Sequence, residues 1–119
     1  MLHRPRRNRK SKSIRKMVRE NHLHAGDFIQ PLFICEGQGV KEHIPSLPVA
    51  YRFSLDTLLV EIEACVALGI QAFMLFPKIP ASFKDKTASY GLNEDNFYLK
   101  AATSIKNQFP DITLISDAA

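Results

Sequence analysis

A helical pattern that stops at a glycine and runs straight into an apolar strand constrains this chain most. Leu55, Leu58, Leu59, Ile62 and Val66 recur at helical spacing up to Leu68, Gly69 breaks the pattern, and Ile70 to Phe76 follows, interrupted only by Gln71. Ser54 suits the helix N-cap, Asp56 complements the dipole in the first turn, and Gly69 takes the left-handed conformation at low cost. A strand apolar at nearly every position is covered on both faces, which is the habit of parallel sheets flanked by helices.

The flanking segments repeat this alternation. Phe28 to Cys35 reads as a buried strand in which Pro31, lacking an N–H, must sit at an edge, a bulge or the first residues. Glu36 to Phe53, interrupted by glycines and prolines, reads as a loop. A second helix is predicted from near Asn93, with Glu94 and Asp95 in its first turn and Phe97, Ala101, Ala102, Ile105 and Phe109 towards a core, closed by Pro110. Ile112 to Ile115 is a third strand, with Ser116 and Asp117 at its carboxyl end. The order β-α-β-α-β builds a parallel sheet with right-handed crossovers, either an open doubly wound sheet or the opening units of a (β/α)8 barrel. Three strands cannot close a barrel, and the pattern stops at Asp117-Ala118-Ala119, where a helix is due, so a piece of a longer barrel is expected.

Charge is uneven. Residues 1–20 carry nine Lys/Arg and one acid, Glu20, a net +8, whereas the remaining residues carry seven bases and eleven acids, a net −4. Residues 1–24 therefore read as a basic arm, with Ile14, Met17 and Val18 on a short helix capped by Ser13, and residues 25–119 as the α/β body. Such an arm can stay solvated, grip an acidic partner or follow a phosphate backbone. No apolar core of a secretory signal follows it, no run approaches the ~18 apolar residues of a membrane span, and Cys35 and Cys65 form no disulfide ladder. A cytoplasmic protein with two buried structural thiols and no membrane partner is expected.

Ligands of such folds bind at the carboxyl ends of the strands. Asp117, just past an apolar strand, can orient an amine or pass a proton, and is the leading catalytic candidate beside its alternative as a helix N-cap. Glu36 follows the first strand on the same logic. The connection from Pro77 to Leu92 is long for its place and reads as a lid or rim; its Lys78, Lys84, Asp85, Lys86 and Tyr90 could meet an anionic substrate, although exposed lysines in loops are common. His22-x-His24 has no carboxylate or Cys beside it and reads as a surface pair; His3 and His43 carry no signal. Gly37-Gln38-Gly39 lacks the third glycine of a dinucleotide fingerprint.

Arg4-Pro5-Arg6-Arg7-Asn8-Arg9, Val18-Arg19-Glu20-Asn21, Ile29 to Ile34 with Glu36-Gly37, Ile44-Pro45-Ser46-Leu47-Pro48, Ala67 to Ile70, Leu75-Phe76-Pro77, Phe109-Pro110-Asp111 and Ile115-Ser116-Asp117 stand in an order and spacing that resembles the amino-terminal third of the porphobilinogen synthase (5-aminolevulinate dehydratase) family. The resemblance implies a TIM (β/α)8 barrel of which this chain holds the arm and the first three β/α units. It implies a lyase that condenses two 5-aminolevulinate molecules to porphobilinogen with loss of two waters, in haem and tetrapyrrole synthesis. It further implies a homo-octamer in which the arm wraps a neighbouring subunit, with no nucleic-acid partner. The family's two Schiff-base lysines lie on later strands, so Lys78, Lys84 and Lys86 do not match them, and this chain alone is expected to be inactive and aggregation-prone. Asp117 matches an active-site aspartate. Zinc-type members carry a cysteine two residues later; Ala119 stands there, which implies a zinc-independent variant that depends on magnesium, or on potassium, through ligands outside this chain. The rival expectation is a small nucleic-acid-binding protein using the basic arm.

Overall fold

The computed structural model describes residues 6–116. Asp117 and Ala119, on which the catalytic and metal expectations rest, lie outside the described residues, as do Arg4 and Pro5.

From residue 6 onward the arm is an exposed spur. After a 3-10 turn at Arg7–Arg9 comes a six-residue helix, α1 (Lys12–Met17), capped by Ser11, whose Oγ accepts the Ile14 N–H at 3.1 Å. The cap is thus Ser11 and not Ser13, because Ser11 can reach the third N–H of this short turn while keeping its own backbone extended. None of these residues is buried, and Met17 (81% exposed) and Leu23 (69%) show their side chains to solvent. The spur lengthens the molecule to 68 Å and raises its radius of gyration to 20.5 Å, against about 14 Å for a compact chain of this size.

Five strands form one mixed sheet in the order β2-β3-β1-β4-β5: β1 (Ile29–Ile34), β2 (Lys41–His43), β3 (Tyr51–Phe53), β4 (Ala72–Pro77) and β5 (Thr113–Ser116). β3, β1, β4 and β5 run parallel and β2 pairs antiparallel with β3. The segment from Glu36 to Phe53 is therefore a hairpin and not merely a loop; its two strands of three residues carry too little pattern to register in sequence. Pro31 is tolerated as expected of an edge. The Cys35 N–H donates to Phe53 O on the β3 side, and backbone directions alternate, so the nitrogen of Pro31 also faces that side, where β3 pairs only with Phe33 and Ile34.

The helices α2 (Leu55–Ala67) and α3 (Phe97–Gln108) cover one face of the sheet. Leu32, Ile34, Phe53, Phe73 and Leu75 from the strands meet Leu58, Ile62, Ala101 and Ile105 from the helices, all at most 5% exposed. α2 closes as predicted: Gly69, at φ +91°, donates to Val66 O at 2.9 Å and Ile70 donates to Cys65 O at 3.1 Å, the paired bonds of a Schellman motif. α3 starts later than the sequence suggests. Asn93 spends its Oδ1 on the Asp95 N–H (2.8 Å) in a turn, and Asn96 caps the helix by accepting the Tyr98 N–H (2.9 Å).

Candidate functional site

The register aligns the carboxyl ends of the parallel strands, with Ile34 opposite Pro77 and Leu75 opposite Ser116. Three features meet at this end of the sheet: the loop after β1, the start of the long connection after β4, and the end of β5 leading to Asp117.

The β1 loop is pinned to the amino end of α2. Ser54 is fully buried, and its Oγ accepts the Val40 N–H at 2.8 Å instead of capping the helix. Thr57 Oγ1 donates to Val40 O at 2.6 Å, and Asp56 accepts the Gly39 N–H at 2.8 Å and the Ser54 hydroxyl. The Ser54 hydroxyl first, and then the Gly39 amide, hold the Asp56 carboxyl below its ordinary range. This latch fixes the course of the chain from Glu36, which is exposed, to β2.

Lys78 follows β4. Its N–H donates to Ile34 O at 2.8 Å and its ammonium stands 3.9 Å from Glu42, whose other oxygen lies 3.6 Å from Arg52. The group is largely solvated, so each pair contributes at most about 1 kcal/mol. Cys35 sits beside it with its thiol 3.5 Å from Phe53 O; burial pushes that thiol up, against the pull of the Lys78 ammonium. Burial also raises the Cys65 thiol. Both cysteines are free; Cys35 is buried as expected, whereas Cys65 is only partly so.

The connection after β4 is built and not shapeless. Two 3-10 turns, Ala81–Phe83 and Ser89–Leu92, are folded around Asp85, whose carboxylate accepts the N–H groups of Thr87 and Ser89, each at 3.0 Å, and both hydroxyls. The Ser89 hydroxyl leads these bonds, which depress the Asp85 carboxyl to about 2. Phe83 and Tyr90 stack at 4.6 Å, and Asn96, 4% exposed, donates to Tyr90 O at 3.0 Å. This rim, the start of α3 and the end of β5 enclose a groove of about 580 Å³ lined by Pro77, Phe83, Lys84, Tyr90, Tyr98 and Ser116. Tyr98 crosses its floor: the phenol bonds Leu75 O at 3.1 Å and Ser116 Oγ at 2.8 Å. Both contacts are donated by Tyr98, whose single phenolic proton is shared between the Leu75 carbonyl and the Ser116 hydroxyl oxygen.

The opposite face of the sheet carries no helix among the described residues, so the helix cover expected on both faces is found on one; its middle is apolar, with Arg52 beside Phe33 and Thr113 beside Ala72. Alternation places Pro31, Met74 and Ile115 on one level and Phe33 and Phe76 on the next, the last two stacked at 5.4 Å.

The structure therefore brings Lys78 to the strand ends and Lys84, Asp85 and Tyr90 to the rim, while the exposed Lys86 takes no part in the groove. His22 and His24 stack at 6.3 Å out on the arm, and among the described residues no group of three His, Cys, Asp or Glu could hold a metal ion. Sequence reasoning missed Tyr98, Asn96 and the Ser54-Asp56-Thr57 latch. The Asp85-x-Thr87-x-Ser89 pattern was a legible turn signal; Tyr98 gave none beyond its helical phase.

The family model of delta-aminolevulinic acid dehydratase matches residues 2–119. A delta-aminolevulinic acid dehydratase of Chlamydia pneumoniae is 49% identical over 98% of this chain and 35% of its own length, and one of Halalkalibacterium halodurans is 43% identical over 96% and 34%. A crystal structure of the Toxoplasma gondii enzyme in complex with its reaction product porphobilinogen superposes on all of this chain and 34% of its own, at a TM-score of 0.90 and 38% identity. The chain thus spans about a third of the length of the relatives it matches.

Proposed function

The chain belongs to the delta-aminolevulinic acid dehydratase family, and from that membership we propose that it forms the amino-terminal part of a porphobilinogen synthase, the lyase that joins two 5-aminolevulinate molecules into porphobilinogen with loss of two waters. The observation that carries this reading is the likeness of the entire chain, at a TM-score of 0.90, to an enzyme solved with porphobilinogen. The parallel β1, β4 and β5, with α2 and α3 on one face and stacked apolar levels on the other, suit the first three units of a (β/α)8 barrel, whose interior is filled by such levels.

Within that barrel, Asp117 follows Ser116 directly at the carboxyl end of β5, the end at which barrel enzymes hold their substrates. Its proposed work is to orient a substrate amine and take or give its proton. The lysines that form Schiff bases with substrate are assigned to later strands; Lys78, whose ammonium is shared with Glu42, is left out of that role. Residues 1–119 alone are proposed to be inactive. The arm is assigned to homo-octamer assembly, supported by its exposed Met17 and Leu23 and its nine cations among the first twenty residues. Nothing in the fold or the family match favours the nucleic-acid-binding alternative. The proposed magnesium dependence rests on ligands outside this chain, so the chemistry assigned to its own residues does not pass through the metal. A cytoplasmic site is proposed, in keeping with two unpaired cysteines.

The test is a fusion of residues 1–119 to the carboxyl-terminal two thirds of a curated relative, assayed for porphobilinogen formed from 5-aminolevulinate. Activity is expected, and Asp117→Asn should lower kcat by about 10²-fold or more, the scale of a lost acid–base group. A folded but inactive fusion overturns the functional reading, and an unimpaired Asp117→Asn overturns the role of that residue.

A further inference from the structure

Tyr98 is the second residue of α3, the helix that leads from β4 to β5. Its ring packs against the core while its phenol reaches the carboxyl ends of both strands. The two groups it meets lie at one level of the sheet, because Leu75 and Ser116 are register partners. Tyr98 is only half-buried, and a tyrosine that served packing alone could turn its hydroxyl to water. Here the hydroxyl spans two strands instead, 3.1 Å from Leu75 O and 2.8 Å from Ser116 Oγ.

The placement of Tyr98 is itself fixed from the rim. Asn96, 4% exposed, accepts the Tyr98 N–H at 2.9 Å and donates to Tyr90 O at 3.0 Å, so one side chain joins the rim to the first turn of α3. The Tyr90 hydroxyl accepts the Phe97 N–H at 3.4 Å beside it. Two amides that a helix start leaves without partners are thereby satisfied, and α3 cannot turn about its axis without breaking both bonds. The phase at which the phenol meets β5 is set in this way. Ser116 ends β5 and is its last register partner with β4; Asp117 is the next residue in the chain.

We infer that Tyr98 is a positioning residue for the lyase reaction: by holding Ser116 against the end of β4, it fixes the backbone from which Asp117 departs. The inference rests on the role proposed for Asp117 and goes beyond it, because it assigns the precision of that group to a helix residue locked in phase by Asn96. Small displacements of an acid–base group are felt in the rate, since reacting atoms must meet within a narrow range. An anchor of α3 and a positioning residue differ in what their loss changes. Loss of an anchor lowers stability alone; loss of a positioning residue lowers kcat, and does so only while Asp117 is there to be positioned.

The experiment is a kinetic cycle in the fusion protein described above, with Tyr98→Phe, Asp117→Asn and the double variant. Tyr98→Phe should lower kcat about fivefold, the scale of one neutral hydrogen bond, with KM unchanged. In the Asp117→Asn background it should have no further effect, because residues that act as a unit are not additive. Thr103→Gly, exposed in the middle of α3, weakens the helix by propensity without touching Leu75 or Ser116 and should leave kcat as it is. Hydrogen exchange on peptides covering Leu114 to Asp117 should quicken severalfold in Tyr98→Phe. Unchanged exchange there overturns the tether whatever the activity of the fusion. A fall in kcat that recurs in full in the double variant, or that Thr103→Gly reproduces, overturns the positioning role while an impaired Asp117→Asn leaves the reading of Asp117 standing. An unimpaired Asp117→Asn refutes that reading and the inference with it.

Discussion

Replacing Gly69 by alanine probes the turn that feeds α2 into β4 and so sets the height of Lys78 and the rim. Gly69 sits at φ +91°, and an added Cβ would stand 3.2 Å from the Cβ of Ala25. The left-handed backbone costs an L-residue about 1–2 kcal/mol, and the close approach adds a few tenths because Ala25 belongs to the chain entering β1 and must shift. The sum is about 2 kcal/mol, which corresponds to a roughly 30-fold rise in opening. Hydrogen exchange in the fusion protein, followed on peptides spanning the end of α2 and the start of β4, reads this directly, whether opening is local or global. Gly26→Ala is the matched control, since a Cβ there meets nothing within 4 Å. Equal exchange in Gly69→Ala and Gly26→Ala would refute the assignment of strain to this turn.

Tyr98→Phe in the fusion should cost about 1 kcal/mol of stability and lower kcat severalfold, because the phenol ties Leu75 O to Ser116 beside Asp117; unchanged kinetics and unfolding would remove it as a positioning residue. For Asp85, the folded carboxyl lies at about 2 against an ordinary 3.8, so its contribution to rim order is complete above pH ~4 and lost as pH falls from there towards 2. Ring-current shifts of the stacked Phe83 and Tyr90 should follow that fall, and a midpoint at 3.8 would contradict the hydrogen-bonded cradle. Alkylation at pH 8 should be slower at Cys35 and Cys65 than at free cysteine, since burial raises both thiols; a rate equal to that of free cysteine would show the thiols to be solvated.

The α/β class, the three longer strands and both long helices were legible because each carries its own pattern: apolar runs for the strands, and a three-to-four spacing for α2 and α3. Gly69 was legible because its φ is a local demand. What escaped was decided by partners far along the chain. Ser54 looked like a cap, yet its hydroxyl serves Val40, and the strands β2 and β3 exist because Lys41 to His43 and Tyr51 to Phe53 find each other across a turn. The start of α3 slid from Asn93 to Asn96 because two asparagines competed and only the second was packed beneath Tyr90.

The sequence by itself determined the order of the three longer strands and two long helices, the basic arm and the ordered motifs of a porphobilinogen synthase, since these depend on local periodicity and residue type. Only the tertiary structure decided the antiparallel hairpin on the sheet's edge, the Tyr98 tether and the sheet face left without helices among the described residues. Each of these is a contact between segments far apart in the chain or a balance among competing hydrogen-bond partners, and no local pattern can encode which partner wins.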